Sequence, residues 1–192
     1  MERKPDNRPD LCVSGLAARQ WGVLSLAELA KCGLSPSSVR VRVRKGWLHR
    51  LHRGVYAVGH PNPGVEGRFL AAVKACGPTA RLSHYSAGSL FGFVEWDDRR
   101  PEVTVIGTAP RSHTRVCVHR TGVLDVRDVA RHKGIPVTSP ARTLIDLASQ
   151  LSYHALLRAV RKAQALNGSR WRSSPTHCLG LVRATGGATW PG

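Results

Sequence analysis

The chain has 192 residues, 42% of them hydrophobic, and a formal charge of +17 from 29 Lys and Arg against 12 Asp and Glu. This length suits one or two small domains, and the hydrophobic content indicates that most of the chain folds. So large an excess of positive charge favours a polyanionic partner, with nucleic acid the first to consider. No run of about 18 apolar residues occurs, and the polar N-terminus lacks a signal-peptide core, so we expect a cytoplasmic protein without membrane spans.

The cysteines are scattered along the chain, odd in number, and never spaced as Cys-x-x-Cys. They are Cys12, Cys32, Cys76, Cys117 and Cys178. This pattern supports neither a disulfide framework nor a zinc site. We therefore expect small buried hydrophobes or free thiols.

The N-terminal third shows the signals of three consecutive helices. Residues 1–10 are predicted to form a flexible leader, and Ser14 is a candidate cap for a first helix. Ser25 is predicted to cap a second helix, with Glu28 completing a capping box. Ser35 is predicted to cap a third helix, with Pro36 at its first position.

The segment 39–44 alternates strictly between valine and arginine, which by period alone is typical of a strand. The Ser-Pro before it and the Lys-Gly after it are helix boundary signals. We favour the helix because the local caps agree with each other. Val39 and Val43 would then share one face, and Arg40 and Arg44 another.

Residues 47–58 are predicted to form a basic hairpin, with Gly54 in its tight turn. Residues 61–64 read Pro-Asn-Pro-Gly and mark a break in the chain. The order of helix, capped helix, capped basic helix and hairpin is that of a winged helix-turn-helix. We therefore predict a DNA-binding domain over residues 11–60.

Residues 65–167 show mixed patterns that predict an α+β domain. Helices are predicted over 69–76, 83–91, 139–149 and 152–166, and strands over 102–106 and 115–119. Residues 168–192 contain no acid and no periodicity, and we expect an irregular, disordered tail.

The candidate DNA-binding residues lie on the third helix and the hairpin. A recognition helix places its N-terminal residues against base edges, so this role is assigned to Ser37, Ser38 and Arg40. The residues further along the helix and those on the hairpin suit phosphates or the minor groove. This second group comprises Arg42, Arg44, Lys45, His49, Arg50, His52 and Arg53.

Several motifs resemble those of AbiEi-type antitoxins from type IV toxin–antitoxin systems. They are Gly33-Leu34-Ser35, Gly46-Trp47-Leu48, Arg53-Gly54-Val55-Tyr56, Ser83-His84-Tyr85 and Thr138-Ser139-Pro140-Ala141-Arg142-Thr143. The resemblance covers roughly residues 14–167. It implies a transcriptional autorepressor that binds double-stranded DNA, expected to be its own promoter. It also implies an antitoxin acting against a nucleotidyltransferase-like toxin without a stable complex.

Many similar proteins continue into a C-terminal domain that resembles very-short-patch-repair endonucleases. This chain has no acid after Asp146, so it lacks the metal-binding carboxylates of that domain, and we expect a truncation or frameshift near Asn167. One alternative is therefore a remnant of a DNA-targeting protein that has lost its nuclease. A second alternative is a non-catalytic protein-interaction module.

No catalytic, metal or cofactor site is predicted. Asp97, Asp98 and Glu102 lack the lysine that a metal-dependent nuclease places two residues after its second acid, because that position is Thr104. His84 lies near serines, but no third group is placed by the sequence, so a structural histidine is favoured. His49 and His52 lack further ligands at metal-binding spacing.

Overall fold

The computed structural model describes residues 8–107 and 115–167, which form two sheets with helices against them. The helices are α1 (Arg8–Ala18), α2 (Leu26–Lys31), α3 (Pro36–Arg44), α4 (Val65–Cys76), α5 (His84–Leu90), α6 (Pro140–Ala148) and α7 (Tyr153–Asn167). The strands are β1 (Val23–Ser25), β2 (Leu48–His52), β3 (Val55–Val58), β4 (Arg81–Leu82), β5 (Glu102–Ile106), β6 (Cys117–Thr121), β7 (Val129–His132) and β8 (Ile135–Thr138). The mixed α+β fold predicted from the sequence is confirmed.

The N-terminal unit, residues 8–60, combines α1–α3 with a three-stranded antiparallel sheet in the order β1-β3-β2. Its core contains Val13 of α1, Leu29 of α2, Val39 of α3 and Leu48 of β2, each at most 2% exposed. Helix α3 and the β2–β3 hairpin are therefore fixed to one small core, as in a winged helix-turn-helix.

The predicted caps of α2 and α3 are confirmed. Ser25 Oγ accepts a hydrogen bond from the Glu28 backbone N–H, and the Glu28 carboxylate accepts one from the Ser25 N–H at 2.7 Å. Ser35 Oγ accepts from the Ser38 N–H, and Pro36 occupies the first turn. These bonds satisfy backbone donors that a helix start leaves unpaired. The segment 39–44 is thus helical despite its strand-like alternation.

The C-terminal unit, residues 64–167, contains a five-stranded mixed sheet in the order β6-β5-β4-β8-β7. Strands β5 and β6 pair in parallel, as do β4 and β8, while the other two pairs are antiparallel. The main core packs Phe69 and Val73 of α4 against Leu82, Val103 and Val137 of the sheet. A second cluster joins α6 and α7 around Leu147 and Ala159.

The two units meet where α4 packs against the N-terminal sheet, with Ala71 buried beside Val23 and Val55, and at the start of α2. Lys74 Nζ donates to Glu28 Oε2 at 2.5 Å, to the Val23 carbonyl at 3.0 Å, and to Gln20 Oε1. The Trp21 indole N–H donates to the Lys133 carbonyl in the β7–β8 turn at 2.9 Å. The carboxylate that completes the α2 capping box therefore also joins the two units.

Two predictions about the first helix are wrong. Helix α1 begins at Arg8, so residues 8–10 are not part of a leader, and Ser14 lies inside the helix instead of capping it. In the first turn of α1, the Asp10 side chain binds Arg42 of α3 and so ties this turn to the rest of the unit. Residues 1–7 and the predicted tail 168–192 lie outside the described residues.

The cysteine prediction is wrong for one pair. Cys12 of α1 and Cys32, which follows α2, form a disulfide with their Cα atoms 5.5 Å apart. Sequence spacing could not reveal this pair, since the two cysteines are 20 residues apart and meet only when the helices pack. Cys76 and Cys117 are free thiols, as predicted, and Cys178 lies outside the described residues.

Within the described residues, no helix is long and apolar enough to cross a membrane.

Candidate nucleic-acid interface

Helix α3 presents one apolar face to the core and one basic face outward. Val39 is 2% exposed, and Val43 packs against the same core cluster. Arg40, Arg44 and the following Lys45 are exposed. Because residues four apart share a helix face, Arg40 and Arg44 lie together as predicted.

The N-terminal turn of α3 carries a cluster of hydroxyl groups. Ser35 Oγ lies 2.8 Å from Ser37 Oγ and donates to Ser38 Oγ at 3.0 Å. Ser37 is exposed and Ser38 is half-buried. The cap of the helix therefore also orients the two serines that the sequence assigns to base edges.

Arg42 lies on a different face of α3 from the other arginines. Its guanidinium binds Asp10 through Nε at 3.0 Å and through Nη2 at 2.8 Å. It also lies over the Trp47 ring, 5.7 Å from the ring centroid. These contacts direct Arg42 toward α1 and the core, so the structure does not group it with Arg40 and Arg44.

The β2–β3 hairpin carries the remaining predicted residues. Arg50 and Arg53 are exposed, and His49 and His52 are half-buried. The pairing shifts by one residue between Arg50 and His52, which is a β-bulge, and Gly54 adopts a φ of +73° in the turn. A bulge increases local twist and re-aims side chains, so the basic hairpin residues do not simply alternate between its two faces.

The three acids considered for a nuclease do not converge. Asp97 pairs with Arg99, and Asp98 pairs with Arg68 at 2.6 Å. Glu102 is instead 4% exposed and binds His119 at 2.8 Å and Gln150 at 2.7 Å. The surface acids thus form ordinary ion pairs, and only Glu102 belongs to a buried polar group.

That buried group includes His84, whose Nδ1 lies 3.0 Å from Ser83 Oγ. Burial lowers the pKa of His84 below its ordinary value, by more than the nearby Asp146 carboxylate raises it. Burial also raises the pKa of Glu102, but the hydrogen bonds with His119 and Gln150 outweigh it, so this pKa lies below its ordinary value. Sequence reasoning missed His119 because its partner lies 17 residues away on the adjacent strand.

Comparison with known proteins agrees with the resemblance seen in the motifs. Residues 15–59 match the family described as "Transcriptional regulator, AbiEi antitoxin". Residues 72–172, more than half of the chain, match the family described as "AbiEi antitoxin C-terminal domain". No curated protein matches the chain.

Among solved structures, the chain is similar to the RV2827C protein from Mycobacterium tuberculosis, with 19% sequence identity and a TM-score of 0.49. That alignment covers 99% of this chain and 85% of the other.

The two family matches name a regulatory role, transcriptional regulator and antitoxin, and no enzymatic activity. The chain therefore belongs to the AbiEi antitoxin family.

Proposed function

We propose that this protein is a DNA-binding transcriptional autorepressor and the antitoxin of a type IV toxin–antitoxin system. Its N-terminal unit would bind double-stranded DNA in its own promoter. Its C-terminal unit would supply the antitoxin activity against a nucleotidyltransferase-like toxin. The family descriptions support the regulator and antitoxin role, and the surface of the N-terminal unit supports the DNA contact.

The observation that carries the proposal is the exposed basic face of α3 beside the basic hairpin. Between residues 11 and 60 there are eight Lys or Arg and one acid, Glu28. Glu28 is half-buried, and its charge is paired with Lys74 of α4. Because no acid within this range offsets the exposed arginines, this surface suits a phosphate backbone.

In this docking, the first turn of α3 enters the major groove. Ser37, Ser38 and Arg40 would face base edges, where arginine is suited to bidentate contact with guanine. Arg44 and Lys45 would contact phosphates from the end of the helix. The hairpin would lie along the backbone or the minor groove, with His49, Arg50, His52 and Arg53 as its contact residues.

Arg42 is not included in this docking. Its guanidinium already binds Asp10 and lies over Trp47. Turning it toward DNA would break both contacts. We therefore propose that Arg42 fixes the orientation of α3 against α1 and leaves phosphate binding to its neighbours.

The experiment that tests the proposal compares two double variants of the full chain on a fluorescent duplex. Arg40→Ala with Arg44→Ala removes two exposed charges from α3. Arg158→Ala with Arg161→Ala removes two exposed charges from α7 and is the matched control. Anisotropy titrations between roughly 50 and 200 mM salt give the affinity and its salt dependence.

The α3 variant should bind at least tenfold more weakly. Its slope of log K against log salt should flatten by about 0.9 for each phosphate that the variant no longer neutralises. The α7 variant should behave like the parent, and circular dichroism should show both variants folded. Equal weakening in the two variants, or none in the α3 variant, would place the DNA surface elsewhere.

A further inference from the structure

A buried polar cluster lies on the face of the five-stranded sheet that supports α5. Glu102 occupies β5 among buried valines, with its side chain 6% exposed. Carboxylates are rarely buried unless they are paired or coordinate a metal. Successive side chains of a strand point to opposite faces, so Glu102 and Thr104 of β5 share one face, as do Cys117 and His119 of β6.

Two histidines meet beside this carboxylate. The rings of His84 and His119 stack with their centroids 3.6 Å apart and 14° between their planes. His119 Nε2 lies 2.8 Å from Glu102 Oε2. One ligand atom from each of His84, Glu102 and His119 lies within 4.8 Å of the others, which is compact enough for small side-chain rotations to bring all three to one ion.

Asp146 provides a second, independent observation. Its side chain is 6% exposed, and its Oδ2 is a buried oxygen with no hydrogen-bond partner in the described residues. Oδ2 lies 3.9 Å from His84 Nδ1, while Oδ1 accepts from Arg142 Nε at 2.8 Å. A metal-binding histidine commonly donates its other ring N–H to a carboxylate, which fixes the tautomer and the ring. His84 Nδ1 lies 3.0 Å from Ser83 Oγ and 3.9 Å from Asp146 Oδ2, so Asp146 would accept this N–H after a shift of the His84 side chain, which leaves Nε2 for the ion.

We propose that His84, Glu102 and His119 form a site for one divalent transition-metal ion, with Asp146 orienting His84. Two imidazoles and one carboxylate suit Zn²⁺ or Fe²⁺ better than Mg²⁺ or Ca²⁺, which prefer oxygen ligands alone. The His119 side chain is 30% exposed and gives an ion a route from solvent.

Metal binding would exchange the His119–Glu102 hydrogen bond for two bonds to the ion. It would add a bond between α5 and the paired strands β5 and β6, to which α5 is otherwise linked by packing and by the hydrogen bonds of Ser86 and Ser83 with β5. The site lies in the C-terminal unit and is independent of the proposed DNA surface. We infer that the ion stabilises this unit.

The test is isothermal titration of Zn²⁺ into the chelator-treated full chain, with thermal unfolding measured in parallel. The proposal predicts saturable binding of one ion at this site, and a melting temperature raised by about 5 °C or more at saturating Zn²⁺. His119→Ala and Glu102→Gln should each weaken binding at least tenfold and abolish the shift. His154→Ala, which removes an exposed histidine on α7, is the matched control.

Cys117 requires its own control, because its exposed Sγ lies 3.7 Å from His119 Nε2 and could bind Zn²⁺ as an isolated thiol. The Cys117→Ser variant should retain the Zn²⁺ site and the thermal shift. Binding that disappears in Cys117→Ser but persists in Glu102→Gln would overturn the proposal. So would a parent chain whose melting temperature does not respond to Zn²⁺.

Discussion

The arginines of α3 alternate with valines along the chain, yet they have different surroundings. Arg40 and Arg44 are exposed, whereas Arg42 is held by Asp10 and lies over Trp47. The difference follows from helical geometry, since positions two apart lie about 200° around the axis from each other. One basic segment therefore supplies both the exposed arginines of the proposed DNA surface and the ion pair that binds α1.

Replacing Arg42 with alanine tests this division of roles. The Arg42–Asp10 pair is partly exposed, so its loss should lower the free energy of unfolding by only about 0.5–1 kcal/mol. Urea unfolding gives this value. The salt dependence of DNA binding should stay that of the parent, because no phosphate contact is removed. A slope that flattens as in Arg40→Ala would show that Arg42 reaches the DNA.

For single residues, the sequence predicts contacts between residues that are close along the chain and misses contacts between residues that are far apart along it. The caps at Ser25, Ser35 and Ser139 were predictable because each side chain bonds a backbone N–H three residues ahead. The Arg42–Asp10 pair joins residues 32 apart. It depends on how α1 packs against α3, which no local pattern encodes.

Helix α3 shows that capping signals can identify a helix even when the alternation of its apolar and polar residues suggests a strand. Its valine and arginine alternation is typical of a strand, but Ser35 with Pro36 at one end and Gly46 at the other enclose a single helix. Strands β1, β4, β7 and β8 were missed. Each has only two to four residues, too few for an alternating pattern to show, and each is defined by its partners in the sheet.

The Cys12–Cys32 disulfide ties α1 to the end of α2 and should stabilise the N-terminal unit. Cross-linking residues 20 apart restricts the unfolded chain, which is worth about 3 kcal/mol for a loop of this size. Cys12→Ser should therefore lower the free energy of unfolding by about that amount without reductant. Denaturant unfolding measured by circular dichroism gives the value.

The disulfide prediction has two controls. Adding reductant should bring the parent to the stability of Cys12→Ser and leave the variant unchanged. Cys117→Ser removes a thiol that forms no disulfide and should be as stable as the parent. A parent equally stable with and without reductant would mean that the disulfide contributes nothing to folding.

Across the whole molecule, α4 joins the two units, because its Ala71 is buried against Val23 and Val55 of the N-terminal sheet. Lys74 of α4 binds the Glu28 carboxylate and the Val23 carbonyl. Gly67, on the same helix, lies where any Cβ would be 2.9 Å from the Trp21 carbonyl and 2.5 Å from Pro63 Cβ. The absence of a side chain at Gly67 therefore sets how closely α4 approaches the N-terminal unit.

The Gly67→Ala variant distinguishes the effect of this close contact on stability from the effect of helix propensity, because the two have opposite signs. Alanine normally stabilises a helix interior by about 0.5–1 kcal/mol relative to glycine. At Gly67 the clash with backbone should dominate, giving a net destabilisation of about 1–3 kcal/mol in urea unfolding. Gly15→Ala is the matched control, since nothing lies within 4 Å of its added Cβ, and it should stabilise α1. A Gly67→Ala chain as stable as Gly15→Ala would refute the close approach.

The most direct test of the proposed regulator is binding of the full chain to the DNA upstream of its own gene. A scrambled duplex of equal length is the comparison, and both are measured at two salt concentrations. An autorepressor should prefer the upstream duplex at least tenfold, and binding to both duplexes should weaken steeply as salt rises. Equal affinity for the two duplexes at both salt concentrations would contradict a promoter-specific role and leave only a basic surface that binds any DNA.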